Sequence, residues 1–117
     1  TWAFWDFLPT AAALAGVEPP PCDGHSILPT LLNKPDEQQQ HEYLYWEFHE
    51  GAFKQAVRTG RWKAVRNNKD ASPELYDLEE DLAEAHDRAS DHPDIAARAA
   101  SFFDSARTES PHWPSER

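Results

Sequence analysis

The sequence predicts an α+β fold: a two-layer sandwich in which an antiparallel sheet of about four strands packs against a long C-terminal helix, with a short helix at the N-terminus. Three observations predict it. The centre of the chain alternates apolar and polar side chains with a period of two, as strands do. Both ends show the longer period of helices, and 117 residues are enough for one modest core.

The N-terminal helix is predicted over Asp6–Ala15. Asp6 is a suitable cap, Pro9 falls in the first turn, and Gly16 follows the end. Prolines at 19–21 then predict an extended connection, and 26–32 a second short helical turn. The apolar face expected on the first helix consists of Trp5, Leu8, Ala12 and Ala15.

The strands are predicted at Glu42–His49, Phe53–Arg58, Trp62–Arg66 and Glu74–Leu78. The second and third are expected to join in a hairpin at Thr59-Gly60. In the first strand, one face is formed by Leu44, Trp46 and Phe48, and the other by Tyr43, Tyr45, Glu47 and His49. Because aromatic strand faces usually pack on a helix, the core is expected to include Leu44, Trp46, Phe48 and Trp62.

The C-terminal helix is predicted from Pro93 to about Thr108 and is expected to pack on the sheet through Ile95, Phe102 and Phe103. Residues 82–91 are consistent with either a partial helix or a loop. After Ser110 the tail is predicted to fray, with Trp113 as a residue able to dock. The predicted organisation is one subdomain, 1–117: helix and Pro-rich loop (1–40), antiparallel meander (41–80), helical region (81–110) and tail (111–117).

Composition excludes two classes of partner. The net charge is −10, with 21 acidic against 11 basic residues, which disfavours nucleic acid and anionic membrane surfaces. No apolar run approaches the roughly 20 residues that cross a bilayer. Cys22 is the only cysteine, so no internal disulfide forms and the redox compartment is not identified. The chain begins at Thr1 without Met, and we expect it to be a piece of a longer protein.

Three segments resemble the C-terminal part of the sulfatase family, within the alkaline-phosphatase-like superfamily. WDFLPTAAALAGVEPPPCDGHSILPTLL is similar to the family's D-x-x-PT-x-x-x-x-AG helix followed by DG-x-S-x-x-P-x-L. HEYLYWEFHEGAFKQAVRTGRWKAV is similar to its aromatic strand and A-x-R-x-G-x-WK hairpin, and ELYDLEEDLAEAHDRASDHPDIAARA to its ELYDL segment and terminal helix. Together they cover nearly the whole chain in the family's order.

The resemblance implies a sulfuric ester hydrolase whose catalytic groups lie outside this sequence. Family members use a formylglycine, made from the Cys or Ser of a C/S-x-P-x-R motif, and a divalent cation, usually calcium. Cys22 is followed by Asp23 and Gly24, so it does not match that motif. The implied role is therefore to support the catalytic domain and shape a cleft for a sulfated substrate such as a carbohydrate sulfate. The fragment alone is expected to be inactive.

The resemblance also implies a partner, the N-terminal catalytic domain of the same protein, and the surface that it would cover predicts self-association of the separated fragment. Relatives with this function are often periplasmic, secreted or lysosomal. The alternative is a free-standing α+β module that binds a protein or carbohydrate. A natural start codon near Thr1 would favour that alternative.

Four residues are candidates for substrate binding, and no catalytic or metal-binding residue is predicted. Glu47 and His49 share a strand face beside the loop at Glu50-Gly51, where they could bind sugar hydroxyls; a solvated sheet edge and a contact with the catalytic domain are the alternatives. Lys54 and Arg58 belong to a basic hairpin that suits an anionic substrate, unless its charges pair with the many acids. The six His residues form no HxH or HxxxH pair.

Overall fold

The chain divides into two compact units, unit 1 over Thr1–Glu42 and unit 2 over Tyr43–Arg117. The computed structural model describes residues 1–113. The organisation of 1–117 as a single subdomain stays a prediction. Across residues 1–113, none of the helices is long and apolar enough to cross a membrane.

Unit 1 consists of short helical elements joined by extended chain. A 3₁₀ turn at Phe4–Asp6 leads into α1 (Phe7–Ala15), which ends at Gly16 with φ 69°, a left-handed conformation that glycine adopts without steric cost. The second helical turn, α2 (Leu28–Leu31), and a 3₁₀ turn at Pro35–Glu37 follow. Both predicted helical segments are therefore confirmed, although each is shorter than predicted.

The role predicted for Asp6 as a helix cap is wrong. Its side chain makes no capping hydrogen bond to α1 and is instead fully buried. One carboxylate oxygen accepts the Ala3 N–H at 2.7 Å, and the other accepts the His25 N–H and His41 Nε2, both at 2.8 Å. This carboxylate ties the start of α1 to two segments far along the chain, because buried donors need an acceptor.

Two further residues of the sulfatase-like motifs, Thr10 and Gly24, hold the same segments of unit 1 close together. The Thr10 hydroxyl donates to the Asp6 carbonyl at 2.6 Å and accepts the Ile27 N–H at 3.0 Å. Gly24 lies so close to Trp5 that an added Cβ would be 2.2 Å from the Trp5 carbonyl oxygen. The motif spacing thus reflects how the 23–27 loop packs on α1. The buried residues of α1 are Pro9, Thr10 and Ala12, whereas Leu8 of the predicted apolar face is exposed.

Unit 2 contains the predicted antiparallel meander. The strands are β1 (Leu44–Phe48), β2 (Lys54–Thr59), β3 (Trp62–Arg66) and β4 (Glu74–Asp77), in the order β1-β2-β3-β4. Register pairs Tyr45 with Val57, and Val57 with Ala64. A tight turn links β2 to β3 at Gly60, whose φ of 58° suits glycine.

The C-terminal helix, α3 (Pro93–Ser105), packs on the sheet as predicted and begins with the predicted proline. Its buried side chains are Ala99, Phe102 and Phe103, and Ile95 packs partly buried beside them. They meet one face of the sheet, called here the helix face, whose buried hydrophobic residues in this core are Val57, Ala64 and Leu75.

The prediction that Trp46 and Phe48 lie in the core is wrong. They belong to the opposite face, called here the open face, and are 40% and 53% exposed. Tyr45 of β1 and Tyr43 just before the strand pack against the core on the helix face, and the Tyr43 and Phe102 ring centroids lie 4.4 Å apart. Of the other two residues predicted in this group, Leu44 is buried, and Trp62 packs against the core from the helix face.

Candidate substrate-binding site

The end of β1 carries a hydrogen-bonded network centred on the Glu47 carboxylate. One oxygen accepts the Tyr45 hydroxyl at 2.7 Å and Arg107 Nε at 3.0 Å, and the other lies 3.0 Å from His49 Nε2. Strand alternation places Tyr45 and Glu47 on the same face, and His49 follows where the strand ends. The predicted pair Glu47 and His49 is therefore brought into direct contact.

Burial and hydrogen bonds in this network shift the pKa values of Glu47 and Tyr45. Burial by itself would raise the pKa of Glu47, but hydrogen bonds from His49 and Tyr45 and the charge of Arg107 outweigh it and lower the pKa below the usual carboxyl value. Burial, together with the hydrogen bond to Glu47, raises the pKa of Tyr45 to about 12. Glu47 is thus an anion that accepts and Tyr45 is a donor; a hydrogen bond from His49 to this anion requires the imidazole hydrogen on Nε2.

Arg107 joins the chain beyond α3 to this network. Its side chain is 8% exposed, pairs with the carboxylates of Glu47 and Glu109, and donates from Nη2 to the Trp113 carbonyl at 2.6 Å. The Trp113 ring contacts the His49 imidazole at a tilt of 39° with centroids 5.3 Å apart, and the Phe53 ring centroid lies 5.1 Å from the same imidazole. The predicted docking of Trp113 therefore has a defined partner.

A pocket of about 310 Å³ opens beside this network. Its size is at the lower end of the range for small-molecule sites. It combines an anion, an imidazole and aromatic rings, and its lining residues are Glu47, Phe48, His49, Glu50, Ser110 and Trp113. We call this the β1-end pocket.

Lys54 and Arg58, the other two predicted site residues, do not join Glu47 and His49. They lie on the open face of β2, since they alternate with the buried Gln55 and Val57. Neither forms an ion pair with an acid among residues 1–113, whereas the neighbouring basic residues are neutralised. Arg61 pairs with Asp77, Glu79 and Glu80, and Lys63 with Glu84 at 2.5 Å.

Arg58 lines a second, separate pocket of about 400 Å³ on the open face. Its floor and rim combine apolar side chains with a cationic edge, and its lining residues are Trp46, Ala56, Arg58, Lys63, Leu78, Leu82 and Glu84. The four predicted site residues therefore belong to two surfaces of unit 2.

No metal centre is assembled by the described part of the chain: across residues 1–113, no three side chains of His, Cys, Asp or Glu are placed to hold an ion. Folding does bring His25 and His41 together, with ring centroids 4.3 Å apart. Cys22 is exposed, with its thiol 4.0 Å from the Gly24 carbonyl. The residues present therefore do not fit the calcium and formylglycine chemistry that the resemblance implies.

The sequence prediction missed Arg107, Tyr45 and Gln55. Gln55 is buried on the helix face and links Tyr45 to the carbonyl of Phe103, with donor–acceptor distances of 2.8 and 3.3 Å. One signal could have identified Arg107: it follows Phe103 by four residues and therefore extends the buried side of α3.

Comparison with known families settles the chain's relationship. Residues 3–111 match the family described as N-sulphoglucosamine sulphohydrolase, C-terminal. The chain belongs to this family. The resemblance to the C-terminal part of sulfatases is thereby confirmed, and the match covers both units. No curated protein matches the chain.

Solved sulfatase structures share the fold. A putative sulfatase from Bacteroides thetaiotaomicron VPI-5482 is 30% identical with a TM-score of 0.73, and a 2-O GAG sulfatase is 30% identical with a TM-score of 0.72. In both comparisons the aligned region covers 86% of this chain and 23% of the other. The structure of Ps i-CgsB in complex with k-i-k-neocarrahexaose is 24% identical with a TM-score of 0.75. The aligned region covers 95% of this chain and 26% of that one, and the likeness supports the fold. The chain thus spans about a quarter of these relatives' length.

Proposed function

We propose that this chain supports the catalytic domain of a sulfuric ester hydrolase and shapes the cleft that binds a sulfated carbohydrate. The observation that carries the proposal is the family match over residues 3–111, together with solved sulfatases about four times as long. Calcium and the formylglycine of the intact enzyme belong, in this proposal, to the catalytic domain. The chain by itself has no turnover.

Exposed apolar surface supports a missing partner domain. Soluble proteins rarely leave large apolar side chains exposed in clusters unless another surface covers them. Unit 1 exposes Trp2, Phe4, Phe7, Leu8, Leu14, Val17, Leu31 and Leu32. On α1, Phe7 and Leu14 are 66% and 67% exposed, so much of this helix is available to a catalytic domain.

In this proposal Glu47 and His49 contact the substrate from the β1-end pocket. The carboxylate holds the imidazole by its Nε2–H, and the other ring nitrogen has no hydrogen bond within residues 1–113, which leaves it for a sugar hydroxyl. Lys54 and Arg58 stay predicted substrate contacts, but on the open face, where a longer sulfated polymer would have to reach them separately.

The test uses the complete reading frame that contains this sequence. We expect His49→Ala to lower kcat/KM for a sulfated oligosaccharide about tenfold and to change hydrolysis of a small aryl sulfate less than twofold. The matched control is His86→Ala, whose exposed imidazole pairs with Asp81 away from the pocket. Equal losses on both substrates would contradict a contact with the carbohydrate. Aryl sulfate turnover by residues 1–117 alone, with calcium present, would contradict the supporting role.

We also propose that the separated chain associates with itself through the apolar surface that the catalytic domain would cover. Sedimentation of residues 1–117 over a wide concentration range checks this, and we expect the mean mass to rise above that of a monomer. A monomer at every concentration would contradict it.

A further inference from the structure

We propose that the β1-end pocket is a subsite for a sugar ring that presents hydroxyl or ammonium groups, and that it selects against a sulfated ring. The inference rests on the proposed function, because it names the part of a sulfated carbohydrate that this site binds. The sulfate that reacts would then be held elsewhere, and this pocket would bind a neighbouring, unsulfated ring.

The charge of the β1-end pocket is the first feature that favours an unsulfated ring. Two of its lining residues, Glu47 and Glu50, are carboxylates, and within residues 1–113 no Lys or Arg lines it. The nearby cation, Arg107, already pairs with the carboxylates of Glu47 and Glu109. From the described part of the chain, an incoming sulfate would meet negative charge with no unpaired Lys or Arg lining the pocket, whereas hydroxyl and ammonium groups would find acceptors.

The aromatic walls of the β1-end pocket are the second feature that favours a sugar ring. Phe48 is 53% exposed and Trp113 is 49% exposed, and both line the pocket. An exposed ring offers a flat apolar surface for the C–H face of a pyranose, while the polar edge of the sugar reaches the groups between the rings. Acidic acceptors beside aromatic plates therefore suit a sugar better than a purely apolar ligand.

The third feature is that Trp113 is held in place at the pocket. Its backbone carbonyl accepts from Arg107, and its ring packs on His49, so the residue is held at the pocket by contacts with the residues that follow α3 and β1. Arg107 touches no pocket surface and acts here as a positioning residue. The stacking wall therefore depends on the same network that orients Glu47 and His49.

The contrast with the open-face pocket sharpens the assignment. That pocket contains Arg58 and Lys63 against one carboxylate, Glu84, and is net positive. A sulfated ring is therefore expected to prefer the open face, and an unsulfated ring the β1-end pocket. Binding of sulfated and unsulfated sugars can therefore be compared between two pockets of the same chain.

The test follows the indole N–H signals of the five tryptophans by NMR in the 117-residue chain. Glucosamine and glucosamine 6-sulfate are the probes. We expect glucosamine to shift the Trp113 signal, with at least tenfold weaker binding of the 6-sulfate at that signal. Equal or tighter binding of the sulfated sugar there would overturn the proposal.

Two variants separate the contributions. Trp113→Ala should weaken glucosamine binding about tenfold, followed through the His49 ring signals, whereas Trp2→Ala, which removes a comparably exposed indole from unit 1, should leave it unchanged. Glu50→Gln should reduce the preference for the unsulfated sugar at least threefold. An unchanged preference in Glu50→Gln would overturn the charge argument. These binding measurements need no turnover. The subsite proposal can therefore be contradicted while sulfatase activity of the intact protein is confirmed, and it can be supported while that activity is not found.

Discussion

Asp6 in unit 1 and Glu47 in unit 2 are carboxylates with similar partners but different surroundings. Each accepts three donors, one of them a histidine Nε2. Asp6 is fully buried, and two of its donors are backbone N–H groups. Glu47 has a side chain that is 22% exposed, accepts only from side chains, and borders a pocket.

The difference separates a structural carboxylate from a candidate for binding. Backbone donors are fixed by the fold, so the Asp6 carboxylate that accepts them holds chain segments together, and because it is fully buried no ligand reaches it. Side-chain donors beside solvent leave room for a ligand to approach and for the imidazole to make a further bond. Both carboxyl groups have lowered pKa values despite burial, because their hydrogen-bond donors outweigh the loss of hydration.

The largest effect is expected from Asp6→Ala. The substitution leaves the N–H groups of Ala3 and His25 and the His41 imidazole without their buried acceptor, which should cost about 4 kcal/mol of stability in unit 1. Hydrogen exchange of the His25 amide measures this directly. Asp6→Asn, which keeps one acceptor oxygen, should lose less. If the His25 amide stays protected in Asp6→Ala, the structural role of this carboxylate is wrong.

A smaller loss is expected from Gly24→Ala, which tests the same packing without removing any charge. The new Cβ would lie 2.2 Å from the Trp5 carbonyl oxygen, so backbone must move, at a cost of about 3 kcal/mol. Gly16→Ala is the matched control, because a Cβ there has open space and only the left-handed φ opposes it, at about 1 kcal/mol. Chemical denaturation ranks the two, and a larger loss in Gly16→Ala would contradict the close packing at Gly24.

The smallest stability effect is expected from Glu47→Gln. Because the Glu47 side chain is partly exposed and the amide keeps one acceptor oxygen, unit 2 should lose about 1 kcal/mol at neutral pH. Glu79→Gln, at an exposed carboxylate that pairs with Arg61, is the control and should change little. A loss in Glu47→Gln as large as that in Asp6→Ala would remove the distinction between the two networks.

Acid titration of the same variants sharpens the comparison further. The folded-state pKa of each carboxyl lies below its ordinary value, 3.8 for Asp6 and 4.5 for Glu47. Each therefore contributes stability that is complete above that ordinary value and is lost as the pH falls through the folded-state pKa. Denaturation between pH 6 and 2.5 should show a shallower acid loss in Asp6→Asn and Glu47→Gln than in the parent chain. Parallel curves would contradict the lowered pKa values.

The secondary structure could be predicted closely because local patterns specify it. The period of two around Trp46, the proline at 93 and the glycine at 16 each act within a few residues, and the structure confirms the elements that they predict. Part of the network at the candidate site could be predicted from the sequence. The contact between Glu47 and His49 agrees with the shared strand face that the sequence predicts, whereas Arg107 lies 60 residues from Glu47 and no local pattern links them.

Sequence alone determined the strands, the helices and the sulfatase-like motifs, because propensity, turn chemistry and motif spacing are properties of neighbouring residues. Tertiary structure decided which sheet face α3 covers. Alternation separates Tyr45 from Trp46 but does not say which of them meets the helix; here the tyrosine ring packs inward while its hydroxyl reaches Glu47. Tertiary structure also decided that Asp6 binds His25 and His41, since the folded chain determines which donors lie next to a buried carboxylate.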